Sequence, residues 1–155
     1  KMNGSRASSR LLLSALASRL SGPTTVDVAV CVPFPYLETT QRELSASHVT
    51  WGAQTLNEFG PGAHTGEVCA EMLRDFGCRY VLVGHSERRT SYGETDAITG
   101  RKTLAAVRAG LSPIICVGES LEERDANLTS AVVLRQLDAA LMALPTADRN
   151  ACVVA

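Results

Sequence analysis

The sequence lacks the features that mark nucleic-acid-binding, zinc-binding and membrane-spanning chains. Its 155 residues contain no basic tract and no interleaving of basic with aromatic residues, and the formal net charge is only -1, which argues against a nucleic-acid partner. No Cys-x-x-Cys pair occurs, and no cysteine has a histidine at ligand spacing, so no metal site is expected. The apolar runs are too short to cross a bilayer. We therefore expect no nucleic acid, metal or membrane partner.

The five cysteines favour a reducing compartment. Cys31, Cys116 and Cys152 lie within apolar runs, where a free thiol behaves as a small hydrophobic group. An odd number of thiols fits a cytoplasmic protein better than a disulfide framework. With 45% apolar and 20% charged residues and no linker or low-complexity segment, residues 1–155 are expected to form a single domain.

Short apolar runs alternate with stretches of helical spacing. Several of these runs are apolar at consecutive positions, as parallel strands covered by helices are. The predicted strands cover residues 26–32, 49–54, 80–83, 111–117 and 151–155. Strand and helix in repeated order predict βαβ units and a parallel sheet. Periodicity does not separate an open sheet from a closed barrel, and length alone favours the open sheet, because a full barrel takes about 250 residues.

Two leucine stripes predict amphipathic helices. Leu12, Leu16 and Leu20 recur at every fourth position, and a second stripe runs through residues 134–144. These leucines are expected to face the core.

Helix ends are also marked in the sequence. Ser120 with Glu123 predicts a capping box at the start of a helix. Gly77 and Gly110 lie where helices should end, just before strands.

His85 is the leading candidate for a catalytic residue. The predicted strand over 80–83 ends at Gly84, His85 follows directly, and Ser86 is predicted to cap a helix that begins at Glu87. The carboxyl ends of parallel strands face the active site. The free amides of the following helix would oppose a second proton on the ring, and a neutral ring can donate a hydrogen bond to a carbonyl oxygen. The alternative is a strand-end histidine that only bonds to backbone.

Two arginines occupy an unfavourable place at the start of this predicted helix. Arg88 and Arg89 follow Glu87 in the first turn of this predicted helix, where cations are unfavourable. They are therefore expected to pair with specific carboxylates, and either a structural ion-pair network or a functional role fits.

These motifs resemble the triosephosphate isomerase family. Val-Gly-His-Ser-Glu-Arg-Arg is similar to the family signature, and four other segments resemble its first, third and fifth strands with their loops, in family order and with family-like spacing. The segments are residues 83–89, 1–4, 52–54, 62–67 and 116–124. The resemblance implies an α/β fold, the (β/α)8 TIM barrel. This chain would supply about the first five βα units plus part of strand six, and the preference for an open sheet is overturned.

The resemblance also implies a function. The family interconverts dihydroxyacetone phosphate and glyceraldehyde 3-phosphate, a step of glycolysis and gluconeogenesis, without a cofactor or a metal. Lys1 is expected to bind the substrate phosphate and stabilise the enediolate. His85 would bind substrate as the neutral electrophile, and Glu87 would be the acid that contacts the lysine. Cys116 is expected only to pack. Without the resemblance, Lys1 would be interpreted as a solvated terminal lysine.

A homodimer is implied as well. Thr65 lies in a glycine-rich segment that resembles the loop inserted by one family subunit into the other, and Gln54, Glu67 and Arg88 are expected to help fix that interface. His64 occupies a place often held by an aromatic residue. Composition alone would predict an ordinary surface turn.

No glutamate of this sequence matches the family's catalytic base, which belongs to the end of the sixth strand. Residues 151–155 resemble only the beginning of that strand. We therefore expect a polypeptide of residues 1–155 to be inactive and poorly folded by itself, because an incomplete barrel exposes strand edges.

Two other functions remain open at this point. One is a Schiff-base aldolase on a similar barrel, with Lys1 as the nucleophile. The other is a non-catalytic, flavodoxin-like binding module with an open sheet.

Overall fold

The computed structural model describes residues 1–22 and 25–155, in which seven α-helices alternate with five strands. The helices are α1 Arg6–Arg19, α2 Leu37–Leu44, α3 Ala70–Asp75, α4 Ser86–Tyr92, α5 Asp96–Arg108, α6 Leu121–Asp125 and α7 Thr129–Met142. The strands are β1 Ala29–Val32, β2 Thr50–Ala53, β3 Tyr80–Val83, β4 Ser112–Ile115 and β5 Val153–Val154. Short 3-10 helices cover Phe34–Tyr36 and Thr146–Ala151.

The five strands form one parallel sheet in the order β1-β2-β3-β4-β5. Each strand pairs with the strand that precedes it in the chain, so every crossover advances the sheet by one step in the same direction. A flavodoxin-like sheet reverses direction at a switch point. The order is therefore that of a barrel arc, as the resemblance predicts, and it excludes the flavodoxin-like alternative.

All five predicted strands are present, although most are shorter than predicted. The prediction over 26–32 is wrong at its beginning, because β1 begins at Ala29. The side chain of Val26 is 67% exposed, so the apolar run extends beyond the part that the sheet buries. Only the second half of the predicted run is strand, and its residues after Ala29 are half-buried.

The core lies between the sheet and its helices. Val81, Val83 and Ile115 are at most 1% exposed and pack in one cluster with Ala53 and Ala106. These residues alternate with half-buried ones along β3 and β4. A fully buried Val or Ile side chain contributes about 1.5–3 kcal/mol of transfer free energy, and this burial fixes the strand ends that carry the site.

Both leucine stripes mark helices, and each is only partly buried. In α1 Leu20 packs against the core, but the buried residue is Leu13, at 3% exposure, while Leu12 is 62% exposed. Leu144, just after α7, is 3% exposed and buried. Within α7 the buried positions are those on another face, Val132, Gln136 and Ala140. Leucine spacing therefore located the helices and part of the buried surface.

The predicted helix ends are confirmed. Ser120 and Glu123 form both hydrogen bonds of a capping box at the start of α6. Gly77 and Gly110 have φ angles of 69° and 76° directly after α3 and α5, a conformation that favours glycine.

Within the described residues, no helix is both long enough and apolar enough to cross a membrane.

Candidate active site

The site is built where β3 gives way to α4. Gly84 has a φ of 70°, and a Cβ at this position would lie 2.7 Å from Thr99 Cγ2. Glycine is therefore required both by the backbone conformation and by the available space. This turn directs the next residue, His85, towards the carboxyl-terminal edge of the sheet.

His85 itself caps α4, and the prediction that Ser86 does so is wrong. The ring nitrogen Nδ1 of His85 accepts a hydrogen bond of 3.2 Å from the backbone N–H of Glu87. An acceptor nitrogen has no proton, so in the neutral ring the proton is on Nε2. The arrangement fixes one tautomer and leaves Nε2–H as a hydrogen-bond donor.

Lys1 and Glu87 form an ion pair beside this ring. The Lys1 ammonium donates to Oε1 of Glu87, and the other carboxylate oxygen, Oε2, lies 3.8 Å from His85 Nδ1. The hydrogen bond from Lys1 is the main cause that lowers the pKa of Glu87 below its ordinary value. The pair brings together residues 86 positions apart. Both side chains are more than half exposed, so solvent and ligands reach them.

One cavity of about 350 Å³ collects these groups. Its polar lining includes Lys1, His85 and Glu87, and its apolar lining includes Phe34 and Leu82. Such a volume suits a small ligand held by a few convergent polar groups. The ammonium and the imidazole therefore face the same space, as expected from the sequence.

The four predicted interface residues separate into two groups. Gln54 and Arg88 line the same cavity, and Gln54 Nε2 donates to the carbonyl oxygen of Cys31 at 3.1 Å. Thr65 and Glu67 are exposed on the loop between β2 and α3 and are not among the described residues that line the cavity.

The loop that carries Thr65 has its own internal contacts. Glu67 Oε2 accepts a hydrogen bond of 2.6 Å from Asn57 Nδ2. The rings of Phe59 and His64 stack with their centroids 4.9 Å apart. These contacts give a segment rich in glycine a defined shape.

Beneath the cavity lies a buried charge cluster that the sequence did not reveal. Glu94 and Lys102 are 7% and 6% exposed, and their charged groups lie 2.5 Å apart. The same oxygen of Glu94, Oε1, also accepts from Arg88 Nε at 2.5 Å. Lys102 donates in addition to the Thr55 hydroxyl at 3.1 Å. Because Arg88 and Thr55 line the cavity, the cluster holds two parts of its wall.

Arg89 belongs to a second network, with different partners from those of Arg88. Its guanidinium donates to the Gly84 carbonyl at 2.7 Å and to Asp96 at 2.5 Å. Arg135 donates to the same carboxylate at 3.0 Å. Burial acts to raise the pKa of Asp96, but the hydrogen bonds from the two arginines outweigh it, and the net shift is downward. The ion-pair interpretation of Arg88 and Arg89 is therefore confirmed.

Gln136 and Cys116 shape the end of β4. The Gln136 amide exchanges two hydrogen bonds with the backbone of Gly118, at 2.9 and 3.0 Å, and so clamps the loop after β4 onto α7. Burial raises the pKa of the Cys116 thiol, so this residue stays a neutral packing group at ordinary pH.

Among residues 1–22 and 25–155, no group of three or more His, Cys, Asp or Glu side chains could hold a metal ion.

Comparisons with known proteins agree with this geometry. The sequence profile of the triosephosphate isomerase family matches residues 1–155. The triosephosphate isomerase of Thiobacillus denitrificans is 55% identical over 155 residues, which are the whole of this chain and 61% of that protein. The triosephosphate isomerase of Dechloromonas aromatica is 51% identical over the whole of this chain and 62% of that protein. This chain thus spans about three fifths of the length of these curated relatives.

A solved structure gives the same result. The crystal structure of the triosephosphate isomerase from Bartonella henselae superposes with a TM-score of 0.90 at 39% identity, over 99% of this chain and 63% of that one. The profile match covers every residue, and the strand order is that of a TIM-barrel arc. The chain therefore belongs to the triosephosphate isomerase family.

Proposed function

We propose that the protein to which this chain belongs interconverts dihydroxyacetone phosphate and glyceraldehyde 3-phosphate. The observation that carries the proposal is the position of Lys1 and His85 on one cavity, with the histidine tautomer fixed by the N-terminus of α4. An ammonium ion and a neutral N–H donor are the groups that a proton shift next to a carbonyl requires.

In this proposal Lys1 binds the anionic substrate. Its ammonium has three N–H donors, of which one is directed to Glu87, so the others are available to substrate oxygens. Glu87 orients the ammonium and offsets its charge until substrate binds. The positive charge then stabilises the enediolate as it forms.

His85 acts on the carbonyl group. A base removes the proton from the carbon next to the carbonyl, the electron pair shifts onto the carbonyl oxygen, and Nε2–H of His85 donates to that oxygen. The former carbonyl oxygen takes the Nε2 proton and becomes a hydroxyl, and the ring recovers a proton from the hydroxyl on the first carbon, whose oxygen becomes the new carbonyl. Return of a proton from the base to the former carbonyl carbon completes the aldose–ketose exchange. The base is the family's glutamate, to which no glutamate of residues 1–155 corresponds.

Lys1 as a Schiff-base nucleophile is the weaker proposal. A nucleophilic lysine needs a nitrogen that is free to attack the substrate, whereas the Lys1 nitrogen donates to the Glu87 carboxylate.

We further propose that the protein is a homodimer in the cytoplasm. The exposed loop with Thr65 and Glu67 would contact the part of the cavity lining formed by Gln54 and Arg88 of a second copy. Thr65 and Glu67 are exposed, and Gln54 and Arg88 are partly exposed. Five free cysteines fit a reducing compartment.

The experiment is an isomerase assay of the whole protein in D₂O with dihydroxyacetone phosphate. We expect glyceraldehyde 3-phosphate that carries deuterium at C2, because the base exchanges its proton with solvent. A lysine adduct trapped by borohydride, or no isomerisation, would contradict the proposal.

The dimer is tested by sedimentation equilibrium. Thr65→Arg is expected to shift the protein towards monomers, whereas Ala46→Arg, on an exposed turn after α2, should leave its mass unchanged. Equal masses for the two variants would remove Thr65 from the interface.

A further inference from the structure

A second cavity, of about 450 Å³, lies in a groove between α1 and α2. Its lining is unusually basic for a chain whose net charge is -1. The lining residues are Arg6, Ala7, Arg10, Leu11, Thr39 and Arg42. None of them lines the cavity that contains Lys1 and His85, so this groove, which we call the arginine groove, is a separate site.

The arginine groove has too few carboxylates to balance its charge. Among the described residues, Arg6 and Arg10 have no ion-pair partner, and Arg42 has only Glu43, its neighbour in sequence, at 3.4 Å. The Glu43 carboxylate is also bound by the Ser14 hydroxyl, at 2.7 Å. That hydrogen bond is the main cause that lowers the pKa of Glu43. Three permanent cations therefore face one partly engaged anion.

The position of Arg6 adds to this imbalance. Arg6 opens α1, whose first turn contains no acidic residue. The amino-terminal end of a helix is itself positive, so a cation there is unfavourable unless an anion is nearby.

Thr39 adds a hydroxyl to the groove. The residue as a whole is 6% exposed and lines the cavity, while its hydroxyl oxygen is accessible from the groove rather than buried. It forms no hydrogen bond with another described residue. A hydroxyl can donate to an oxygen acceptor, as the three guanidinium groups can.

We propose that the arginine groove binds a small phosphorylated anion with at least two negative charges. The planar guanidinium group matches the oxygens of a phosphate in a bidentate manner. The volume falls in the range of small-molecule sites. Leu11, which is 72% exposed, and Ala7 offer apolar surface to the non-phosphate part of the ligand.

The test is calorimetric titration of the full protein with inorganic tripolyphosphate at low ionic strength. We expect one binding site per chain, with affinity that falls as salt is added. Arg10→Gln and Arg42→Gln are each expected to weaken binding about tenfold, the value of one charge-assisted hydrogen bond. Thr39→Val is expected to weaken it by a smaller factor.

Two controls make the result specific. Arg108→Gln removes an exposed arginine at the end of α5 and is expected to leave the affinity unchanged. The titration is repeated in a Lys1→Met background, where the site in the groove should persist if it is separate from the Lys1 cavity. Isomerase turnover of the arginine variants should equal that of the unmodified protein. The anion-binding proposal and the isomerase proposal are therefore tested independently.

Several outcomes would overturn the proposal. Equal affinity of Arg10→Gln, Arg42→Gln and the unmodified protein would remove the groove as the binding site. Sulfate that binds as tightly as tripolyphosphate would indicate an adventitious ion only. Binding of a long polyanion without binding of tripolyphosphate would indicate a macromolecular partner instead.

Discussion

The ion pairs Lys1–Glu87 and Lys102–Glu94 contain the same two residue types in opposite surroundings. The side chains of the first pair are 65% and 52% exposed, whereas those of the second are 7% and 6% exposed. Only the exposed pair can exchange its partner for a ligand without burying an uncompensated charge. The comparison teaches that burial, rather than residue type, separates a charge that is accessible to a ligand from one that holds the wall of the cavity.

The largest effect is expected on turnover, when His85 in the cavity is replaced in the whole protein. His85→Gln removes the Nε2–H donor, so turnover should fall by about 10²–10⁴-fold, the usual contribution of a positioned general acid. Thermal unfolding and circular dichroism should show an intact fold. His48→Gln, at an exposed position, serves as the matched control. Near-normal turnover of His85→Gln would remove this residue from the chemistry.

The next effect is expected in the buried cluster. Lys102→Met removes one partner and leaves the Glu94 carboxylate buried, with Oε2 already unpaired. Because Arg88 still donates to Glu94 Oε1, the loss is that of one buried hydrogen bond to a charged group, about 1.5–3 kcal/mol, rather than that of an uncompensated charge. Urea denaturation should show a loss of this size in the free energy of unfolding. A loss below about 1 kcal/mol would mean that the buried pair of Lys102 and Glu94 stabilises the fold no more than an exposed pair does.

The matching change at the surface should have little effect on stability. Lys1→Met breaks an exposed pair, and such pairs contribute about 0–1 kcal/mol. Its free energy of unfolding should thus stay close to that of the unmodified protein, while kcat/KM falls because the cation that binds substrate is lost. Equal destabilisation by Lys1→Met and Lys102→Met would break the comparison.

The smallest effect is expected in how the stability of the fold depends on pH. The folded-state pKa of Asp96 is lowered, so its contribution to stability is present above the unfolded value of about 3.9 and is lost as the pH falls through the lower, folded value. Asp96→Asn should be less stable at neutral pH and should lose less stability below about pH 4. Parallel pH profiles of the urea midpoint would contradict this expectation.

The sequence pointed to the cavity residues Lys1, His85 and Glu87 but not to the buried pair of Glu94 and Lys102, and the reason is physical. Strand ends and glycine caps are local patterns, and the motif around His85 is continuous in sequence. Glu94 and Lys102 are eight positions apart, but their burial depends on how α5 packs against the sheet. Charged residues normally lie at the surface, so neither member carried a sign of burial.

Two local details were also beyond the sequence. His85 and Ser86 are both able to cap a helix, but α4 begins at Ser86, so His85 takes the N-cap position and its ring accepts from the Glu87 N–H. The buried position of Leu13 in place of Leu12 depends on how α1 is rotated against Leu44 and Val49. Both are decided by packing rather than by residue type.

The sequential strand order has a consequence for how the sheet is assembled. Because every strand pairs with the strand just before it, each new βα unit finds its partner already made as the ribosome releases the chain. The sheet can thus grow one strand at a time from its amino-terminal end, without waiting for segments that are synthesised later.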